Sequence, residues 1–207
     1  MRGIALSRRV LLAGAAGVVV LGLAAGCGNS DHGGSSGMDH GSGTTATSTA
    51  PGSGAVFNDA DVTFAQNMIP HHKQAVQMAD LAASRVADPE IKQLAGQIKA
   101  AQDPEIKTLS GWLTGWGKPV EPPQGHGGHA MPGMMSDAEM GKLTGAAGKD
   151  FDRMFAQMMI AHHNGAIQMA KDERAGGANP DAKALAATIE RTQADEVGTL
   201  EKILDRL

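Results

Sequence analysis

Tyrosine is absent from this 207-residue chain, and aromatic residues of all kinds make up only 3% of it. Ala, Leu, Ile and Met must therefore fill the core, a palette that favours helices over a sheet. A single cysteine, Cys27, excludes an intramolecular disulfide. Positive charge is not in excess: the formal net charge is −4, which argues against nucleic acid as a partner. The chain also lacks a nucleophile–base pair, a phosphate-cradling loop and a dinucleotide fingerprint. What it has in plenty for its size is twelve Met and eight His.

The first segment, residues 1–27, reads as an export signal. Arg2, Arg8 and Arg9 give a basic start, and Val10 to Ala25 is an apolar run short for a membrane-spanning helix. Ser7-Arg8-Arg9-Val10-Leu11-Leu12 resembles a twin-arginine signal, which implies export in the folded state. Ala24-Ala25-Gly26-Cys27 resembles a bacterial lipobox, although Ala24 stands where Leu is usual. On that reading Cys27 is lipidated and becomes the first mature residue. Its acyl chains then hold the protein on the outer face of the cell membrane, at about 0.8 kcal/mol per buried CH₂. The alternatives are an uncleaved anchor and a plain secretory signal. Residues 28–56 are Gly, Ser and Thr with almost no large apolar side chain, a flexible tether. Its Asp31-His32 and Met38-Asp39-His40 could scavenge metal weakly, though solvated linker is the plainer reading.

From residue 57 the chain is organised around one stretch that occurs twice. Phe64 to Ala79 reads FAQNMIPHHKQAVQMA, and Phe155 to Ala170 reads FAQMMIAHHNGAIQMA. These hold the only His-His pairs in the sequence. His162 minus His71 is 91, and Pro180 minus Pro89 is 91, so the repeat needs no gap. Phe64, Met68, His71, Ala75, Met78 and Ala82 recur at four- and three-residue steps, one face of a helix that begins near Asp61. Pro70 lies inside it and should kink it. Asp88-Pro89 restarts a helix, with Asp as cap and Pro in the first turn. Ile91, Leu94, Ile98, Gln102, Glu105, Leu109 and Trp112 line its inner face, Pro104 should perturb its middle, and Gly115 and Gly117 end it. Residues 117–135 form a Pro/Gly-rich, Met/His-rich connection, after which Ser136 to Glu139 reads as a capping box opening the next helix. The expected fold is all-α, a four-helix bundle over 57–207 with pseudo-twofold symmetry, made of two helical hairpins, 57–116 and 136–207.

Each copy offers imidazoles and thioethers on one side of a helix. The first has Met68, His71, His72 and Met78; the second has Met158, Met159, His162, His163 and Met169. Residues three and four apart are neighbours on a helix surface. Imidazole nitrogen with thioether sulfur is a borderline-to-soft donor set, which favours copper over magnesium, calcium or manganese. A single Met is more often core filler, and a lone His on an apolar face is more often a satisfied core residue. The same set arriving twice is the argument for metal. Gln102, Glu105, Gln193 and Glu196 fall on apolar faces, where a carboxylate needs a partner. The histidines of the facing helix are the obvious ones, since a metal-binding His commonly donates its other N–H to such a group. Direct ligation by Glu105 and Glu196 would suit a harder metal, and a polar network that only fixes helix register is the third possibility. In the connection, His126, His129, Met131, Met134 and Met135 offer a weaker, exchangeable copper site.

The segments MIPHHKQAVQMA and MIAHHNGAIQMA, each followed by a helix carrying Q-x-x-E, resemble the "domain of unknown function 305" family over roughly residues 57–207. The resemblance implies a ferritin-like four-helix bundle and, from some members, copper binding and tolerance outside the cytoplasm. It carries over Met68, His71, His72, Met159, His162 and His163 as the functional positions. The reading is a membrane-tethered, extracytoplasmic protein that sequesters copper or passes it to a transporter or chaperone, with Cu(I) favoured over Cu(II). Two other classes stay open. A ferritin-like di-metal oxidoreductase would use Glu-x-x-His motifs, and the chain contains none. A helical interaction module would keep the histidines as core residues.

Overall fold

The computed structural model describes residues 56–121 and 131–207. The expectations for the signal, Cys27, most of the tether, His126 and His129 lie outside these residues. Among the described residues the regular elements are five α-helices: α1 Asp59–Arg85, α2 Pro89–Gly115, α3 Asp137–Gly145, α4 Gly148–Gly176 and α5 Pro180–Leu204. None is long and apolar enough to cross a membrane.

Local chemistry sets the boundaries. Asn58 caps α1 by accepting the N–H groups of Ala60 and Asp61, and Asp61 returns the bond to the Asn58 N–H at 2.6 Å. Asp88 and Asn179 cap α2 and α5 in the same way, each followed by a proline whose missing N–H costs nothing in the first turn. At the end of α2, Gly117 takes φ 66°, and the bonds Lys118 N–H to Leu113 and Gly117 N–H to Thr114 close a Schellman turn. Both α1 and α2 run unbroken through Pro70 and Pro104.

The capping box at Ser136 and Glu139 is present, but it opens a separate nine-residue helix, α3, and not the histidine-bearing helix. The chain turns at Ala146 and Ala147, and α4 begins without a side-chain cap at Gly148, whose φ is 62°. Two apolar residues of α3 and its flanks, Leu143 and Met140, dock on the core, which is why this short helix folds against the bundle.

α1 and α2 form one hairpin and α4 and α5 the other, and α1 packs on α4 to join them. The hairpins are latched reciprocally. The Asp61 carboxylate on α1 accepts the N–H groups of Ala178 and Asn179 at the α4–α5 corner, at 3.0 and 2.8 Å. Asp152 on α4 accepts those of Ala87 and Asp88 at the α1–α2 corner, at 3.0 and 2.9 Å. Both aspartates are buried. Burial alone would raise the Asp61 carboxyl, but the backbone donors Asn58, Asn179 and Ala178 outweigh it and hold the group below its ordinary range.

The core is divided in two. One apolar cluster holds Met78, Ile91, Ile98, Phe151, Phe155, Met159 and Leu200. The other holds Phe64, Met68, Ile69, Leu109, Leu113, Ala166 and Ile189. Between them, at the same height on all four long helices, lie His71 and His72, Gln102 and Glu105, His162 and His163, and Gln193 and Glu196. A polar layer thus cuts through an otherwise apolar bundle.

Candidate metal centre

The two histidine pairs divide their work by direction. Adjacent helix residues point about 100° apart, so one ring of each pair faces the other hairpin and one faces its own. His71 and His162 meet across the α1–α4 seam with ring centroids 3.7 Å apart and planes inclined by 37°. His72 turns to its own hairpin partner, and its Nε2 lies 2.7 Å from Glu105 Oε2. His163 does the same with Glu196, again at 2.7 Å. All four rings are fully buried.

These contacts fix which ring nitrogen is free. A carboxylate only accepts, so Nε2 of His72 and of His163 carries the hydrogen and donates it. A carbonyl also only accepts: His71 Nε2–H donates to the Pro132 oxygen at 3.1 Å. In the neutral ring the other nitrogen, Nδ1, then bears a bare lone pair. Nδ1 of His71, His72 and His163 is buried without a partner, as are both ring nitrogens of His162. Orphaned buried acceptors are costly and uncommon, and a metal ion satisfies them. Burial, with the neighbouring charge of His72, holds the His71 imidazolium down to about 3, and burial and His71 push His162 in the same direction. Neutral imidazole is the ligating form.

The methionines separate into two groups. Met68 and Met159 stand one turn before His71 and His162, fully buried, one in each apolar cluster, so they flank the histidine seam from opposite sides. Met78 is core, packed with Phe155 some two turns beyond the seam. Met158 lies half-buried on the rim of that cluster. Met169 lines a separate cavity of about 340 Å³ with Phe64, Asn67 and Glu173. Among the described residues no three His, Cys, Asp or Glu side chains already converge on one point. The preformed element is therefore the His71–His162 pair, with thioethers beside it.

Gln102 and Gln193, both buried, meet Glu105 and Glu196 between α2 and α5 around a void of about 10 Å³. Both amide atoms of Gln102 and the Gln193 oxygen lack a protein partner. A void of that size holds about one water.

One part of the site is not legible from the histidine motifs. Residues 131–135, expected as a loose loop, lie as a strap across the α1–α4 seam. Gln74 holds it with two bonds, donating to the Met135 oxygen at 2.8 Å and accepting the Met135 N–H at 2.7 Å. Gly133, at φ 76°, sits on the α4 backbone, where a Cβ would come within 2.5 Å of the Ala161 oxygen. The signal in the sequence was a departure from the repeat: Gln74 and Gly165 are 91 apart (165 − 74 = 91) and differ.

Comparison with known proteins agrees with this architecture. Residues 61–204 match the family described as Domain of unknown function (DUF305). A DUF305 protein of Streptomyces coelicolor, inferred to be secreted, is 35% identical, with a TM-score of 0.66 over 71% of this chain and 93% of that one. A DUF305 fragment from Deinococcus radiodurans is 32% identical, with a TM-score of 0.66 over 72% and 98%. CopM in its Cu(II)-bound form is 32% identical, with a TM-score of 0.61 over 70% and 96%, and CopM has also been solved with Cu(I) and with Ag. No curated protein matches the sequence.

Proposed function

The chain belongs to the DUF305 family, and on that premise we propose that it is an extracytoplasmic copper-binding protein that sequesters or hands over the metal. The observation that carries this reading is the seam where His71 and His162 meet at 3.7 Å, buried, neutral and with unpartnered nitrogens. Cu(I) is the favoured cargo, because borderline imidazoles flanked by the soft thioethers of Met68 and Met159 suit it. The CopM forms with Cu(I), Cu(II) and Ag support copper as the class of metal. Glu105 and Glu196 hold the hydrogen on Nε2 of His72 and His163, which leaves the buried, unpartnered Nδ1 atoms as lone-pair donors.

The export-like start, the lipobox-like Ala24 to Cys27 and the tether support placement on the outer face of the cell membrane through Cys27. Sequestration or transfer to a copper transporter or chaperone fits better than catalysis, because the chain has no Glu-x-x-His motif of the kind a ferritin-like di-metal oxidoreductase uses.

The test is titration of the purified protein with Cu(I) held by a competing chelator, counting metal per chain. One tightly held ion per chain, bound at the seam, is the expected result. A protein that surrenders all copper to a weak chelator would return the bundle to the interaction-module reading.

A further inference from the structure

The pseudo-twofold symmetry of the bundle fails at the histidine seam, and the failure has a physical cause. A single strap, Met131–Met135, crosses a seam that two equivalent helices build. On α1 the repeat position is Gln74, whose amide grips the strap backbone twice. On α4 the same repeat position is Gly165, where any Cβ would lie 1.9 Å from the Pro132 oxygen. One copy of the position holds the strap and the other makes room for it. The Pro132 carbonyl between them takes the His71 Nε2–H.

The strap is also the one non-helical wall of the His71–His162 seam. On the α2 and α5 sides, His72 and His163 are bonded to Glu105 and Glu196. The two apolar clusters close the seam along the helix axes. Only the fourth wall is non-helical backbone, tied to α1 by three side-chain bonds: two from Gln74 and one from His71. The half-buried Met135 side chain adds packing against one apolar cluster, and a short non-helical segment held by these contacts opens well below the global unfolding free energy. The strap itself carries Met131, Met134 and Met135, soft donors at the mouth of the site.

We infer that Gln74 is a positioning residue that sets metal access: it holds the strap closed over His71 and His162, and an ion enters or leaves only when the strap lifts from it. The metal arm of this inference rests on the copper reading; the access arm does not.

Two measurements on the full chain separate them. In the metal-free protein, diethyl pyrocarbonate acylates exposed neutral imidazole, and peptide mapping reports the rate at His71 and His162. In the copper-loaded protein, transfer of Cu(I) to bicinchoninate reports the release rate. Gln74→Ala removes both bonds to Met135 and should raise both rates about tenfold or more, from two net hydrogen bonds. Gln74→Glu keeps the acceptor and loses the donor, so its rates should fall between. Gly165→Ala should displace the strap by collision and act like Gln74→Ala, with circular dichroism confirming the helices. Faster acylation with no copper bound by any form would sustain the strap and remove the copper reading. Unchanged acylation in Gln74→Ala overturns the inference, as does unchanged release in a variant whose acylation has risen.

Discussion

His71 on α1 and His162 on α4 stand 3.7 Å apart, centroid to centroid, so the two copies of the motif meet at one buried seam. Each contributes a ring to the seam and turns its neighbour, His72 or His163, back toward its own hairpin. The metal reading accordingly places different demands on the two members of each pair.

Replacing His71 or His162 by Ala should each remove most of the high-affinity copper binding. The double variant should lose the copper-dependent rise in melting temperature altogether. A ligand that binds only the folded state at 100 times its Kd adds about 2.7 kcal/mol, so the wild-type shift is large enough to read by calorimetry with and without Cu(I). A double variant that kept the full shift would move the cargo away from the seam, to the methionines of the connection.

Glu105→Gln tests the tautomer argument. The carboxylate can only accept, so it holds the hydrogen on His72 Nε2 and leaves Nδ1 bare. An amide can present its NH₂ instead, which allows the ring to put its hydrogen on Nδ1 and blocks that lone pair. Copper affinity should fall about 10–100-fold, while metal-free stability changes little. Glu196→Gln should act in the same way through His163. Unchanged affinity in both would reduce these carboxylates to helix-register devices.

Much of this was legible because the repeat restates each signal. The 3.6-residue periodicity, the Asp88-Pro89 and Asn179-Pro180 starts and the placement of Glu105 and Glu196 on apolar faces all follow from local pattern. Two things did not. Ser136 and Glu139 cap a helix, but nothing local says that α3 stops at Gly145 before α4 begins, because a capping box marks a start and not a length. The pairing of Asp61 with Ala178 and Asn179 joins residues more than a hundred positions apart, and periodicity carries no information about such contacts. Met78 and Met169 share a repeat position with the same offset, yet one is core and the other lines a cavity. Equivalent sequence met different neighbours once the strap and α3 were laid over one side.

The reciprocal latch predicts a matched pair of stability losses. Asp152→Ala strands the buried N–H of Asp88 and the part-buried N–H of Ala87, and Asp61→Ala strands the buried N–H of Asn179 and the part-buried N–H groups of Ala178 and Asn58. Each should cost about 2–3 kcal/mol, the scale of hydrogen bonds to a charged group lost with one donor left buried. Urea denaturation should show a lower midpoint at unchanged slope for both, with Asp61→Ala the worse. A loss below 0.5 kcal/mol in either, roughly that of a plain surface substitution, would mean the corner is held by something else.

The last prediction concerns pH, where two buried groups pull in opposite directions. His71 titrates near 6.5 when unfolded but is held down to about 3 in the bundle, chiefly by burial and then by His72; His162 is lowered likewise. Below pH 6.5 the unfolded chain takes up protons that the folded chain refuses, so stability falls as pH drops from 6.5 toward 3. Glu173 behaves in the reverse sense. It is buried, its ordinary value is 4.5, and burial followed by the neighbouring Asp61 pushes it up to about 8. Burial and the nearby Asp61 carboxylate both disfavour a second negative charge, so Glu173 is the carboxyl that keeps its proton. Its contribution is complete below pH 4.5 and lost as pH rises through 8. Between 4.5 and 6.5 two histidines oppose one glutamate, and above 6.5 the glutamate acts alone. Metal-free stability should therefore peak near pH 6.5 and decline on both sides, at no more than about 1.4 kcal/mol per pH unit for each net proton. Glu173→Gln removes the ionisable group while keeping its size. Urea midpoints from pH 4 to 9 should show the alkaline decline in the wild type and its absence in the variant, with the acid limb steeper because the glutamate no longer opposes the histidines between pH 4.5 and 6.5. An alkaline limb that survives Glu173→Gln would assign it to another group and leave the Asp61–Glu173 pair without a role in folding.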